Sequence, residues 1–387
     1  MNRNVLILAL SQIFSFTAAP VTVFLSGIIG SQISPLISLS TLPMSISVVG
    51  IAVGAIFATK VMSLVGRKFG FISASIGNFL FSLLAAYSIM DQNFILFCFA
   101  NFFIGVGMAF THQYRFAAAE SVEKDKVPRA ISIILLGGIV SAFLGPSMAN
   151  YGKDIVTDQL YVGSYLSLSI LTIIPAIFFL FYENTSKLES NIKSSGRSIL
   201  ELISQPRFLQ ALVASAFGYA IMTFLMTATP LSMHVMEKMS LSKTGLVIQF
   251  HVVAMFLPSL ITGNLVKKFG HSNIMYAGVF LYSITIIASF FDQTYYNYMF
   301  ALIFLGLGWN FLFISGTSLL VLTYKEEEKF KAQGLNDFIV YSVHATGSLS
   351  AGVLIVLTNW KTMNLLCIPF LIIIILTTLR ADILSKK

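Results

Sequence analysis

Charge is scarce in this sequence. Lys, Arg, Asp and Glu make up 10% of its 387 residues, against about 25% in an ordinary soluble domain. That scarcity argues against a solvated globular surface. Cysteine is rarer still, with only Cys98 and Cys367 present. Two thiols, each inside an apolar run, are too few for a disulfide framework or a thiolate metal site, and both read as packing residues. The sequence has no G-x-x-x-x-G-K-[ST] loop to cradle the phosphates of ATP. It has neither HExxH nor G-x-S-x-G, so nothing suggests an embedded hydrolase. The expectation is a protein that is not an enzyme, with no cofactor and no metal.

What fills the chain is apolar. Hydrophobic residues make up 56%, and the mean hydropathy is +0.85. A membrane-spanning helix needs about 20 mostly apolar residues. Twelve such runs occur, near 5–28, 38–59, 70–90, 94–114, 130–150, 160–182, 208–230, 244–266, 272–291, 297–320, 334–358 and 362–379. Only one of them contains an acidic residue, Asp337. The predicted fold class is an all-α integral membrane protein.

A net charge of +8 could suggest nucleic acid as a partner. The placement of the charge points to the lipid bilayer instead. With both termini cytoplasmic, 20 of the 24 Lys and Arg residues fall on inner segments. The outer segments keep only Lys153, Lys238, Lys243 and Lys361. Such a bias fixes orientation in a membrane. The expected location is the inner membrane, multi-pass, with no role for nucleic acid and the monomer as the working unit.

The chain also repeats itself. The longest polar stretch, "ENTSKLESNIKSSGRS" at 183–198, separates two sets of six runs. "GVGMAFTHQYRFAAAE" from Gly105 and "GLGWNFLFISGTSLL" from Gly306 are offset by 201. "TKVMSLVGRK" at 59–68 and "GNLVKKFGHS" at 263–272 are offset by 204. The domains read as 1–182, a cytoplasmic connection at 183–206, and 207–387. A chain built from two such halves is expected to bind its ligand near the midplane.

These basic loops resemble the G-x-L-a-D-R-x-G-R-K loop of the major facilitator superfamily and its weaker second copy. The first copy keeps Gly66, Arg67 and Lys68, with Ser63 where the family has aspartate. The second keeps Gly263, Leu265 and Gly270, and Lys267 and Lys268 carry its charge. The resemblance covers the whole chain and implies twelve helices in two pseudo-symmetric halves, with alternating access between them. It also implies that the loops clamp one half against the other. Gly145-Pro146 in the fifth run resembles the Gly-Pro of the family's antiporter motif, although the family's trailing Gly-Gly is Ala149-Asn150 here. Gly-Pro also suits a packed kink, since proline breaks a helical hydrogen bond. The family often places an arginine four residues before the glycine of the fourth helix, and here that position is Asn101.

Candidate site residues follow. Ser215, Tyr219, Thr223 and Thr227 lie four apart and form one polar stripe on a helix. Gln12, Asn101, Trp309 and Asn310 join the substrate-cavity candidates. Asp337, His344, His112 and Arg115 are candidates for coupling or gating, because an ionisable group in a membrane helix is a functional hypothesis by default. Asp337 is expected to pair with Arg67, since the first basic loop lacks its own aspartate. The alternatives for Asp337 are a proton relay, in line with His344 two turns on, or a helix cap. With no buried basic cluster evident, the substrate reads as a small neutral, zwitterionic or weakly charged organic solute. The function read from these residues is secondary transport, with proton-coupled efflux ahead of nutrient uptake. A non-transporting receptor on the same scaffold is the third reading.

Overall fold

The computed structural model describes residues 2–36, 39, 42–157, 159–184 and 196–385, and these are helical with no strand among them. In the first half of the sequence, α1 (Arg3–Ser15) and α2 (Ala18–Ile33) form one stepped span. They are followed by α3 (Leu42–Met90), α4 (Phe94–His112), α5 (Tyr114–Glu120), α6 (Val127–Gly152) and α7 (Val162–Leu180). The short α8 (Ile199–Ser204) leads into α9 (Pro206–Pro230), which runs on into a π-helical turn at Leu231–Met236. Then come α10 (Leu241–Phe256), α11 (Ser259–Phe269), α12 (His271–Ala288) and α13 (Tyr295–Val321). The chain closes with α14 (Lys329–Leu357), α15 (Trp360–Leu365) and α16 (Ile368–Leu384).

Ten helices among the described residues are long and apolar enough to cross a bilayer. One of these, α3, is 49 residues long, or about 74 Å at 1.5 Å per residue, twice what a bilayer core needs. It is two spans. The break is Gly66, whose φ of 83° and ψ of 162° are not helical. A Cβ on Gly70 would lie 2.6 Å from Cγ of Met62, although eight residues of straight helix would separate the two by about 12 Å. The chain therefore turns back at Gly66. With the 29-residue α14 the spans number twelve. The fourth runs beyond its expected end at residue 114, because α5 carries it on to Glu120.

Two compact units emerge. One comprises Met1–Val122, Ile133–Ser194 and Gln333–Phe338; the other comprises Glu123–Ser132, Ser195–Ala332 and Ile339–Lys387. Their inner packing follows the sequence repeat. In the first unit, any side chain at Gly105 of α4 would overlap the carbonyl oxygen of Ser47 on α3. In the second, a Cβ at Gly306 of α13 would lie 2.7 Å from the carbonyl oxygen of His251 on α10. Small residues let membrane helices approach closely without a hydrophobic driving force between them.

Candidate substrate site and a buried charge cluster

The polar stripe on α9 meets an aromatic cluster in the second unit. The Tyr219 ring lies 5.4 Å from Trp309, 5.5 Å from Phe313, 5.8 Å from Tyr341 and 4.7 Å from His344. Trp309 stacks on Phe313 at 4.9 Å and 14° and meets Phe256 edge-on at 5.6 Å. Helices α9, α10, α13 and α14 all contribute. Trp309 is 2% exposed, yet its Nε1 has no hydrogen-bond partner among the described residues. The same holds for Nδ1 of His344. A shielded donor or acceptor left unmade costs about 1–3 kcal/mol. On the α9 stripe, Ser215 and Thr223 are buried and Tyr219 and Thr227 half-buried.

Other cavity candidates are engaged in packing. Asn310 donates to the carbonyl of Met255 at 2.6 Å and to Oγ of Ser259 at 2.7 Å, and it accepts from Oγ1 of Thr262 at 2.7 Å. It bridges the break between α10 and α11. Trp309 and Asn310 are about 100° apart around α13, which is why adjacent residues serve different neighbours. Asn101 donates to the carbonyl of Phe97 at 2.9 Å and accepts from the Tyr165 hydroxyl at 3.4 Å, tying α4 to α7. Gln12 is buried against Gly137 of α6, and its Oε1 has no partner among the described residues. His112 packs edge-on to Phe16 at 6.0 Å.

Arg67, Arg115 and Asp337 gather in the first unit. Asp337 is bonded by Arg115, not by Arg67 as expected. Arg67 instead donates to Glu120, with Nε 2.8 Å from Oε2, and to Oε1 of Gln333 at 2.7 Å. Gln113 donates to Oδ2 of Asp337 at 2.7 Å, and Gln333 donates to Oε1 of Glu120 at 3.0 Å. The physical reason lies in α5. Its continuation of the fourth span buries Arg115 and places Glu120 on the same short helix as a carboxylate for Arg67. Glu120 and Gln333 were missed because they lie outside the expected spans, and Gln113 because it sits at the end of the fourth one. The helix-favouring "FAAAE" at 116–120 was the available signal.

The loop glycines agree closely. Gly66 has φ 83°, ψ 162°, and Gly270 has φ 83°, ψ 159°. Lys68 donates to the carbonyl of Leu180 at 2.6 Å. Lys267 pairs with Asp125 at 2.8 Å, and Lys268 lies 5.2 Å over the Phe269 ring. A Cβ on Gly263 would fall 2.8 Å from Cα of Arg129. Gly145 seats α6 against α2, since a Cβ there would come within 2.7 Å of Pro20 Cγ. The helix continues through Pro146, whose side chain lies outside the described ones. Among the described residues no His, Cys, Asp and Glu cluster could hold a metal ion.

A family profile for the Major Facilitator Superfamily matches residues 5–291 and 226–384. The chain belongs to the major facilitator superfamily. It is a multi-pass membrane transporter, similar along nearly its whole length to others of this superfamily. The riboflavin transporter RfnT of Brucella anthropi is 34% identical over 375 residues, which is 96% of this chain and 94% of that one. The uncharacterized MFS-type transporter YddS of Bacillus subtilis is 26% identical, covering 94% of this chain and 87% of that one. The crystal structure of the human organic anion transporter MFSD10 superimposes with a TM-score of 0.78 at 12% identity, covering 97% of this chain and 99% of that one. The structure of the superfamily transporter FucP does so at 0.71 and 16%, covering 97% and 98%.

Proposed function

We propose that this transporter carries a flat, fused aromatic solute of the riboflavin kind across the inner membrane, in the direction of uptake. The observation that carries the reading is the 34% identity with a protein named for riboflavin transport, sustained over 96% of the chain. The aromatic cluster of Tyr219, Trp309, Phe313 and Tyr341 supports it, because aromatic faces favour flat ring systems. In this reading the halves 1–182 and 207–387, joined by 183–206, alternate access to the solute. Both termini are cytoplasmic, the monomer is the working unit, and the proton gradient drives the cycle. The charge distribution is used for orientation, with no nucleic-acid partner. Gly145 packs against Pro20, which suits the packed-kink reading of Gly145-Pro146, and efflux stays as the alternative direction.

The test is transport of radiolabelled riboflavin by purified protein in proteoliposomes, with and without an imposed proton gradient. Accumulation above protein-free vesicles, raised by the gradient, is the expected result. No riboflavin movement in either direction, with or without the gradient, overturns the reading.

A further inference from the structure

Two shielded polar atoms stand out in the aromatic cluster. Nε1 of Trp309 can only donate a hydrogen bond. Nδ1 of His344 accepts when the ring proton sits on Nε2. Neither has a partner among the described residues, although both atoms are shielded from solvent. Both rings contact Tyr219, at 5.4 Å edge-on for Trp309 and at 4.7 Å and 31° for His344. Buried polar groups in native proteins are nearly always paired, so an orphan needs an explanation. Here the orphans come as one obligate donor and one available acceptor, both set around a single half-buried tyrosine ring.

We infer that Trp309 and His344 read the polar edge of the solute while its ring lies against Tyr219. The chemistry that fits a donor beside an acceptor is an imide edge, a carbonyl oxygen next to an N–H. The Trp309 N–H would take the carbonyl, and His344 Nδ1 would take the N–H. This rests on the riboflavin-like reading above and adds to it the groups that select the solute. A ring of the same size without the imide edge would leave both nitrogens unpaired, which is how sites reject near-isosteres.

Binding of riboflavin and of its N3-methyl derivative to the purified full-length transporter, followed by titration calorimetry, tests this. The methyl group removes the imide N–H and keeps the ring. Wild-type protein should bind riboflavin about tenfold more tightly than the derivative, one hydrogen bond's worth. In His344→Phe, riboflavin should weaken to the level of the derivative and the discrimination should vanish. Trp309→Phe should weaken both ligands alike and keep the discrimination. Equal wild-type affinity for the two ligands overturns the inference while leaving riboflavin as substrate. So does unchanged discrimination in His344→Phe. Failure of wild-type protein to bind riboflavin at all overturns the substrate reading and this inference with it. The wild-type comparison requires no substitution, so a poorly folding variant does not block the test.

Discussion

Asp337 is 1% exposed and Arg115 3% exposed, and the two are paired inside the first unit. Gln113 and Asn336 add hydrogen bonds to the same carboxylate, at 2.7 and 2.9 Å. Removing one partner of such a pair leaves a buried charge uncompensated, at a cost of about 3–5 kcal/mol. Arg115→Gln should therefore lower the unfolding midpoint more than Arg115→Gln combined with Asp337→Asn, measured in detergent. The charge exchange Arg115→Asp with Asp337→Arg should recover more stability than Arg67→Asp with Asp337→Arg. Equal recovery by the two exchanges would refute the pairing. That Asp337 would pair with a cation was the leading expectation from the sequence, beside a proton relay or a helix cap, because a carboxylate in an apolar run must be paired or neutral. Which cation was not legible. Arg115 follows His112, Gln113 and Tyr114, and that polar run reads as a helix leaving the membrane. Only the burial of α5 shows the arginine turned inward.

At the scale of elements, the repeat in the sequence proved to be a repeat in backbone shape. Gly66 and Gly270 are offset by 204 residues and share φ 83°. At ψ near 160° this region is essentially open to glycine alone, and strain there costs about 1–3 kcal/mol. The two sites differ in surroundings. A Cβ on Gly270 meets nothing within 4 Å, whereas one on Gly66 comes within 2.8 Å of Asn184 Nδ2. Gly270→Ala should show the conformational cost alone, and Gly66→Ala a larger loss. Adding Asn184→Ser should return Gly66→Ala to the level of Gly270→Ala; no recovery would mean that the steric part is absent. The Arg197–Glu328 clasp makes a second prediction. Arg197 Nε donates to Oε1 of Glu328 at 2.8 Å, and its backbone N–H reaches the same oxygen at 2.9 Å. These bonds, led by the Arg197 side chain, pull the Glu328 carboxyl from its ordinary 4.5 down to about 2. A depressed carboxyl stabilises the fold above its unfolded pKa and loses that contribution as pH falls through the folded one. The stability advantage of wild type over Glu328→Gln should be constant above about pH 5 and fade toward pH 2. An advantage that stays flat over this window in thermal unfolding would remove Arg197 as the cause. The clasp was not legible, because its partners lie 131 residues apart in two stretches that read as charged loop.

For the whole molecule, twelve spans and the placement of charge must agree on one topology. Each basic residue near an anionic leaflet contributes about 1 kcal/mol, so the proposed orientation, which puts 20 of the 24 Lys and Arg residues inside, is the one to test by labelling. The chain suits a labelling test, because both native cysteines are buried and should stay silent toward a membrane-impermeant maleimide. Tyr296 is 79% exposed and Leu200 75% exposed, so a cysteine at either position is reachable from its own side. In intact cells Tyr296→Cys should label at once, and Leu200→Cys only after permeabilisation. Parity supplies the stricter check. An even number of spans puts Asn2 and Ser385 on one side, whereas loss of any single crossing would part them. Cysteines at Asn2 and at Ser385 should both behave like Leu200→Cys. The sensitive element is α14, which carries the most polar start of any long helix here, "KFKAQGLND". If it lay along the interface instead of crossing, Ser385→Cys would label from outside and Asn2→Cys would not. That pattern would overturn the twelve-span topology, and it would take Asp337 and His344 out of the membrane together.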